Sequence, residues 1–250
     1  STEQDWGVLD LFFLPGFRER TFAGIEGRPR AAIPSGIIFD SNAASYESTD
    51  KDQHLDYAFR WYNQFDEIEL GLSYFNGTSR DPLFRLNGNI LSPYYELIAQ
   101  TGLELQALIE DWTWKLELIN RKSSSKNYIA LTGGFEYTLF GLFETNADLG
   151  IVIEYLYDDR DQLATTPFQN DVTTALRLVL NDVQSTEVLL GVINDLDDPI
   201  MASFIEASRR LGDAFKLTIE ARSFNKTIAG KPLHDFRQDD FVQLDLAWYF

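Results

Sequence analysis

Large apolar side chains recur at every second position along most of this chain. Leu55, Tyr57, Phe59 and Trp61 alternate with Asp56, Ala58 and Arg60, and Ile68, Leu70, Leu72 and Tyr74 alternate with Glu69, Gly71 and Ser73. The same beat runs through Trp112 to Leu118, Leu149 to Tyr157, Leu176 to Leu180, Phe215 to Ala221 and Val242 to Phe250. A period of two is the mark of strands with one apolar and one polar face. The eight prolines fall outside these segments or at their edges, as hydrogen-bonded ladders require. With Gly7 to Leu14, Tyr95 to Ile109, Tyr128 to Phe143, Glu187 to Asp195 and Ile200 to Leu211 added, the pattern predicts about twelve strands.

Two segments carry a competing pattern. Asp198-Pro199, then Ile200 to Leu211, then Gly212 has the punctuation of a helix, and Leu105, Leu108, Ile109, Trp112 and Leu116 fit a helical stripe. A continuous meander through their neighbours favours strands in both places.

The connections alternate in length. Short ones fall at Gln64-Phe65-Asp66, Glu110-Asp111, Thr145-Asn146-Ala147, Asp182 to Ser185 and Gly212-Asp213, and the longest runs from Pro15 to about Gln53. Short turns on one rim and long loops on the other are the layout of an all-β, antiparallel up-and-down transmembrane β-barrel, here a single domain over residues 1–250. Counting back from the last strand puts the short turns on the periplasmic side.

The contents of the two faces then matter. The polar-face positions include Asp56, Arg60, Glu69, Glu104, Lys115, Glu117, Glu136, Glu154, Arg177, Glu206, Arg210, Glu220, Arg222 and Asp245, which a barrel would turn toward its lumen. Acids outnumber bases on that face by about four. The apolar face carries Trp61, Trp112, Trp114, Tyr155, Tyr157, Trp248 and Phe250 near strand ends, like an aromatic girdle, and one charge, Arg209. A soluble sandwich predicts the same alternation, but so many strands would leave sheet edges to protect. Closure in lipid removes the edges and satisfies the backbone.

Composition narrows the classes further. Lys and Arg total 21 against 39 Asp and Glu, a formal charge of −18, so nothing attracts this chain to nucleic acid. Cysteine is absent, which removes disulfide scaffolds, thiolate metal sites and thiol nucleophiles. The apolar share of 44% excludes a disordered chain. No apolar run is long enough for a spanning helix, and Ser1 to Asp5 does not read as a signal peptide, which suits a cytosolic or a processed, exported chain.

The final strand, Gln243-Leu244-Asp245-Leu246-Ala247-Trp248-Tyr249-Phe250, is amphipathic and aromatic at its last residue. It resembles the signature of bacterial outer-membrane barrels read by the barrel-assembly machinery, with Trp248 and Phe250 as the signal residues. Trp6 to Phe22, Tyr155 to Arg160, Asn181 to Glu187 and Glu206 to Leu211 resemble a largely uncharacterised family of proteobacterial outer-membrane proteins. That resemblance covers essentially the whole chain. It implies an outer-membrane location in a Gram-negative bacterium, contact with outer-membrane lipid and lipopolysaccharide, and an upstream segment with further strands. It lends no catalytic residues.

The expected function is a porin-like channel for passive passage of small solutes, with a lumen that mildly favours cations. Arg18, Arg20, Arg28 and Arg30 sit in the long first loop, and their guanidiniums are expected to fold inward as a constriction paired with wall carboxylates. An exposed loop meeting lipopolysaccharide phosphates is the alternative. A sealed, partner-anchoring barrel is a second reading of the whole chain, since side chains can fill a barrel of this size. The acid clusters at Asp158-Asp159-Arg160-Asp161, Asp195-Leu196-Asp197-Asp198 and Asp239-Asp240 lack EF-hand spacing and suit a solvated surface better than a cation site. A lipid hydrolase would need His54 or His234, with Ser45, Ser48 and Asp235 nearby in sequence, but no motif surrounds them. Neither an enzyme nor a cofactor is implied.

Overall fold

The structure, a computed structural model, describes residues 1–23, 27, 33–160, 164 and 166–250. Its strands in chain order are β1 (Thr2–Gln4), β2 (Gly7–Leu14), β3 (Ile38–Phe39), β4 (Ser45–Tyr46), β5 (Asp56–Phe65), β6 (Ile68–Thr78), β7 (Leu83–Asn87), β8 (Ile90–Tyr95) and β9 (Leu97–Ile109). They continue with β10 (Trp112–Lys122), β11 (Tyr128–Leu139), β12 (Asp148–Asp158), β13 (Asn170–Val179), β14 (Glu187–Asp195), β15 (Met201–Leu211), β16 (Phe215–Asn225) and β17 (Phe241–Trp248). Short 3-10 turns complete the described residues, which contain no α-helix.

Thirteen strands form one antiparallel sheet in the order β1-β2-β5-β6-β9-β10-β11-β12-β13-β14-β15-β16-β17. Both segments with helical punctuation are strands, because each sits between ladders that take its backbone groups. The additional strand is β1, which folds back on β2 through Asp5 and Trp6, with Gly7 at φ 121° completing the reversal. The expected closure is not present: β1 and β17 each pair with a single neighbour. With three residues against eight, β1 offers too short a ladder to seal the edge of β17.

The chain divides into two compact units. The first holds residues 1–106, 116–131 and 158–166, the second residues 107–115, 132–157 and 167–250. Within each, the tight hairpins gather at one end of the strands and the longer connections at the other. The tight turns place non-glycine residues in the left-handed region, including Asp66 at φ 50° in the first unit and Glu110 at φ 54°, Asn181 at φ 50° and Ser185 at φ 50° in the second. Asp and Asn tolerate that conformation best among side-chain-bearing residues.

The first unit also contains a four-stranded sheet made from the long connections. β7 and β8 form a hairpin whose two-residue turn starts at Gly88, φ 63°. β3 and β4 then add to β8 in parallel, β3 at Ile90 and Leu91 and β4 at Tyr94 and Tyr95. Pro93 therefore lies inside a strand, contrary to the expected proline placement. Its missing N–H costs nothing there, because it falls in the gap between the two parallel partners.

Many large apolar side chains are exposed while several carboxylates and hydroxyls are buried. Phe13 is 73% exposed, Trp114 44%, Leu190 46% and Val242 73%, whereas Asp56, Thr78, Glu96, Asp158, Asp171 and Thr173 are buried. On the apolar face of the second unit Trp112 stacks on Trp114 at 5.6 Å and meets Tyr137 at 4.6 Å.

Candidate functional site

The polar face is built on a repeated device, a base and an acid that meet across an intervening strand where that strand carries glycine. In the first unit Arg60 on β5 donates to Glu104 on β9 at 2.6 Å, although β6 lies between them. Arg60 pairs in register with Ser73, and Gly71 is the next β6 residue on that face. A Cβ at Gly71 would stand 3.1 Å from the Glu104 carboxylate, so the missing side chain gives the pair room to close without displacement.

The second unit repeats it. Arg177 on β13 meets Glu136 on β11 at 3.0 Å across β12. Gly150 is the register partner of Arg177, and a Cβ there would collide with the Glu136 carboxylate. On β14, Gly191 lies between Ala175 and Phe204, and the Phe204 ring occupies the vacant space. Arg222 sits 5.3 Å from that ring and binds both Glu206 at 2.6 Å and Glu220 at 3.0 Å. Glu206 and Glu220 are direct cross-strand partners, so one guanidinium offsets two facing carboxylates. These pairs are half exposed, and in water each would contribute no more than about 1 kcal/mol.

The remaining predicted wall residues have their own places. Glu69 pairs in register with Gln64, Glu154 with Thr173, Arg210 with Lys216 and Asp245 with Thr218. Gln243 donates to Asp245 at 2.7 Å. Lys115 and Glu117 are exposed on β10. Among the described residues none of Glu69, Glu117, Glu154 or Asp245 forms an ion pair within 4 Å. Trp248 stacks on Phe215 at 6.2 Å and touches Phe250 at 5.4 Å. Arg209 reaches Asp182 at 3.8 Å beside a tight turn.

At the long-loop end, the first unit buries Asp56 completely. Its carboxylate accepts from Thr78 N–H at 2.9 Å and Arg80 at 2.7 Å, and lies 2.8 Å from His54 Nδ1. The Arg80 guanidinium lies between Phe17 at 4.9 Å and Phe75 at 5.4 Å. Phe17 is itself buried against Tyr46 and Tyr95, so the start of the long loop is clamped to the polar face by an aromatic ring. Burial and a hydrogen bond to Glu19 push the Tyr46 phenol above its ordinary pKa, which keeps it a donor.

The arginines expected to form a constriction divide. Arg20 pairs with Asp81 at 2.9 Å, a residue of the connection after β6 rather than of a strand wall. Arg18 is exposed, and Arg28 and Arg30 lie outside the described residues. The guanidinium that meets a wall carboxylate in this unit's cap is Arg80, which lies outside the long loop.

In the second unit the connection after β16 covers the polar face. Leu233 is buried with Ile200 and Ala202, and Phe168, Phe224, Ile228 and Phe236 pack around them. Ala202 and Phe224 are register partners on the face that carries Phe204, Arg222, Glu206 and Glu220. Lys231 ties the connection to Asp198 at 2.6 Å, and Asp240 accepts the Phe224 N–H at 2.8 Å. Pattern reading missed this cover. The apolar residues Ile228, Leu233 and Phe236 in an otherwise polar connection were its trace in the sequence.

The acidic loop clusters act as turn caps. Asp195 accepts from the Asp197 and Asp198 N–H groups at 2.8 Å each, and Asp158 binds Arg160; Asp161 lies outside the described residues. Among the described residues no three acids or histidines are grouped to hold a metal. His54 faces Asp56, and His234 faces Thr227 Oγ1 at 3.2 Å; among the described residues neither histidine hydrogen-bonds a serine hydroxyl. Comparison with protein-family models, curated proteins and solved structures finds no match.

Proposed function

We propose that this chain is an outer-membrane β-barrel protein of a Gram-negative bacterium that passes small solutes passively. The observation that carries the reading is the inverted polarity of the sheet: large apolar side chains exposed on one face, ion pairs and buried carboxylates on the other. Water would penalise such a surface, and lipid would favour it. The sorting of turns by length within each unit agrees with a barrel crossing a membrane. In a bilayer the edges of β1 and β17 would need partners, from each other or from further strands. The resemblance in the last strand and in Trp6 to Phe22 points the same way.

On this reading the wall favours cations mildly. Arg60, Arg177 and Arg222 are engaged with Glu104, Glu136, Glu206 and Glu220, which leaves the wall acids Glu69, Glu117, Glu154 and Asp245 against the wall bases Lys115 and Arg210 to set the field. The covers made by Phe17 and Leu233 also support a second reading, a sealed barrel that anchors a partner. Planar-bilayer recording of the refolded chain separates the two. Discrete conductance steps with a cation-side reversal potential support the channel, and a silent bilayer holding folded protein supports the sealed barrel.

A further inference from the structure

A second charged group in the first unit is left over from the wall and from the Asp56 clamp. Arg121 near the end of β10, Tyr128 at the start of β11 and Arg160 after β12 line a small cavity with Ser79, Asp81, Leu83, Glu96, Ile98, Ser123, Ser125 and Lys126. The two guanidiniums attend one ring, Arg160 at 4.4 Å and Arg121 at 5.3 Å from the Tyr128 centroid. Arg160 is held by Asp158 at 2.5 Å and approaches Asp81 at 3.7 Å. Burial opposes its charge most strongly of any one cause, but the hydrogen bond to Asp158 and the nearby charges of Tyr128, Asp158 and Asp81 together raise the guanidinium pKa above its ordinary value.

Arg121 is placed differently. Its Nε donates to Gln100 Oε1 at 2.8 Å, and no ion pair within 4 Å joins it to a carboxylate among the described residues. A guanidinium has five N–H donors in a rigid fork, and one neutral acceptor leaves most of them unmatched. The cavity's two acids are otherwise engaged: Glu96 accepts from Ser124 Oγ, Ser125 N–H and Ser125 Oγ, and Asp81 pairs with Arg20. Arg121 is thus a lining cation whose only side-chain hydrogen bond among the described residues goes to a neutral amide.

We propose that Arg121 is the anchor of a binding site for a small oxyanion, a carboxylate or phosphate group, with Tyr128 holding the guanidinium in place. The planar fork presents two parallel donors to such a group, and the half-buried setting strengthens the bond relative to water. The site does not depend on the channel reading, because a sealed barrel exposes the same cavity. If the channel reading holds, a bound anion at this position adds negative charge at the long-loop end of the wall and strengthens its preference for cations.

The test is titration of the folded full-length chain in detergent with inorganic phosphate and, separately, with acetate, by calorimetry. Saturable one-to-one binding is expected for at least one anion. Arg121→Gln should weaken it about tenfold or more, the scale of one charge-assisted bidentate contact. Arg121→Lys, which keeps the charge and loses the fork, should fall between and also guards against a folding defect in the glutamine variant. Arg85→Gln, in the hairpin of the small sheet, should bind as the parent does. Binding of acetate alone assigns the site to carboxylates, and of phosphate alone to phosphoryl groups. Absence of binding at millimolar anion, or equal binding by Arg121→Gln, overturns the proposal. A phosphate-induced shift of the reversal potential toward cations is a separate measurement, and its absence with binding intact would count against the channel, not the site.

Discussion

Arg177 and Glu136 sit 3.0 Å apart although a whole strand separates theirs. The contact exists because Gly150, opposite Arg177, contributes no side chain. Gly150→Val should force the Glu136 carboxylate aside and remove the ion pair, at a cost of no more than about 1 kcal/mol because the displaced group is the end of a flexible side chain. A cycle of Arg177→Gln and Glu136→Gln in the parent and in Gly150→Val, read by urea unfolding in lipid vesicles, should show the coupling only in the parent. Coupling that persists in the valine background would refute the gap mechanism.

The cover over the second unit's polar face rests on one buried leucine. Leu233→Ala should cost about 2–4 kcal/mol locally, in the range for a buried leucine truncation. Hydrogen exchange should then accelerate across residues 226–240 while β15 and β16 stay protected. If the channel reading is right, unit conductance rises in the same variant. Uniform loosening of the strands would mean that Leu233 supports the sheet itself.

The turn between β13 and β14 supplies a pH dependence. Asp182 accepts from the Thr186 N–H and the Thr186 hydroxyl, each at 2.8 Å, and these bonds hold its pKa below the ordinary carboxylate value. A carboxyl depressed in the folded state stabilises above its unfolded pKa, about 3.9, and loses that contribution as pH falls through the lower folded value. Parent stability should therefore decline below about pH 4 more steeply than that of Asp182→Asn. Superimposable pH profiles would remove Asp182 from the account.

Inverted polarity can be tested directly because the chain has no cysteine of its own. Single cysteines at Leu176 and Val242 should carry a fluorophore quenched by nitroxide lipids and shielded from iodide. Cysteines at Thr173 and Gln243 should give the opposite order. Quenching by iodide at all four sites would exclude lipid contact for the apolar face.

Strands and tight turns were legible because both are local. Period two in Leu149 to Tyr157 is β12, and Gly212-Asp213 marks the β15–β16 hairpin. The β7–β8 hairpin was also legible, since Asn87-Gly88 between Leu83 to Leu86 and Ile90-Leu91 is a turn signal. Pro93 within it runs against the strand rule, and the split pairing of β3 and β4 removes that conflict. The Arg177–Glu136 and Arg60–Glu104 pairs join residues 41 and 44 positions apart and depend on which strand lies between, information that alternation does not contain. The Arg121 cavity likewise draws on four separate connections. Closure was expected from the sorting of short and long connections and the cost of sheet edges, neither of which fixes the pairing of the first and last strands, and β1 is too short to register in any pattern.

Strand length has a consequence of its own. β6, β10, β12, β15 and β16 each have eleven residues. Such a strand rises about 36 Å, and inclined at about 45° it projects about 25 Å, near the height of the apolar band in outer-membrane barrels. Under the proposed reading the sheet is matched to a thin bilayer. Lipids with short acyl chains should accept it without bending, whereas thick, sterol-rich membranes would have to pucker around it.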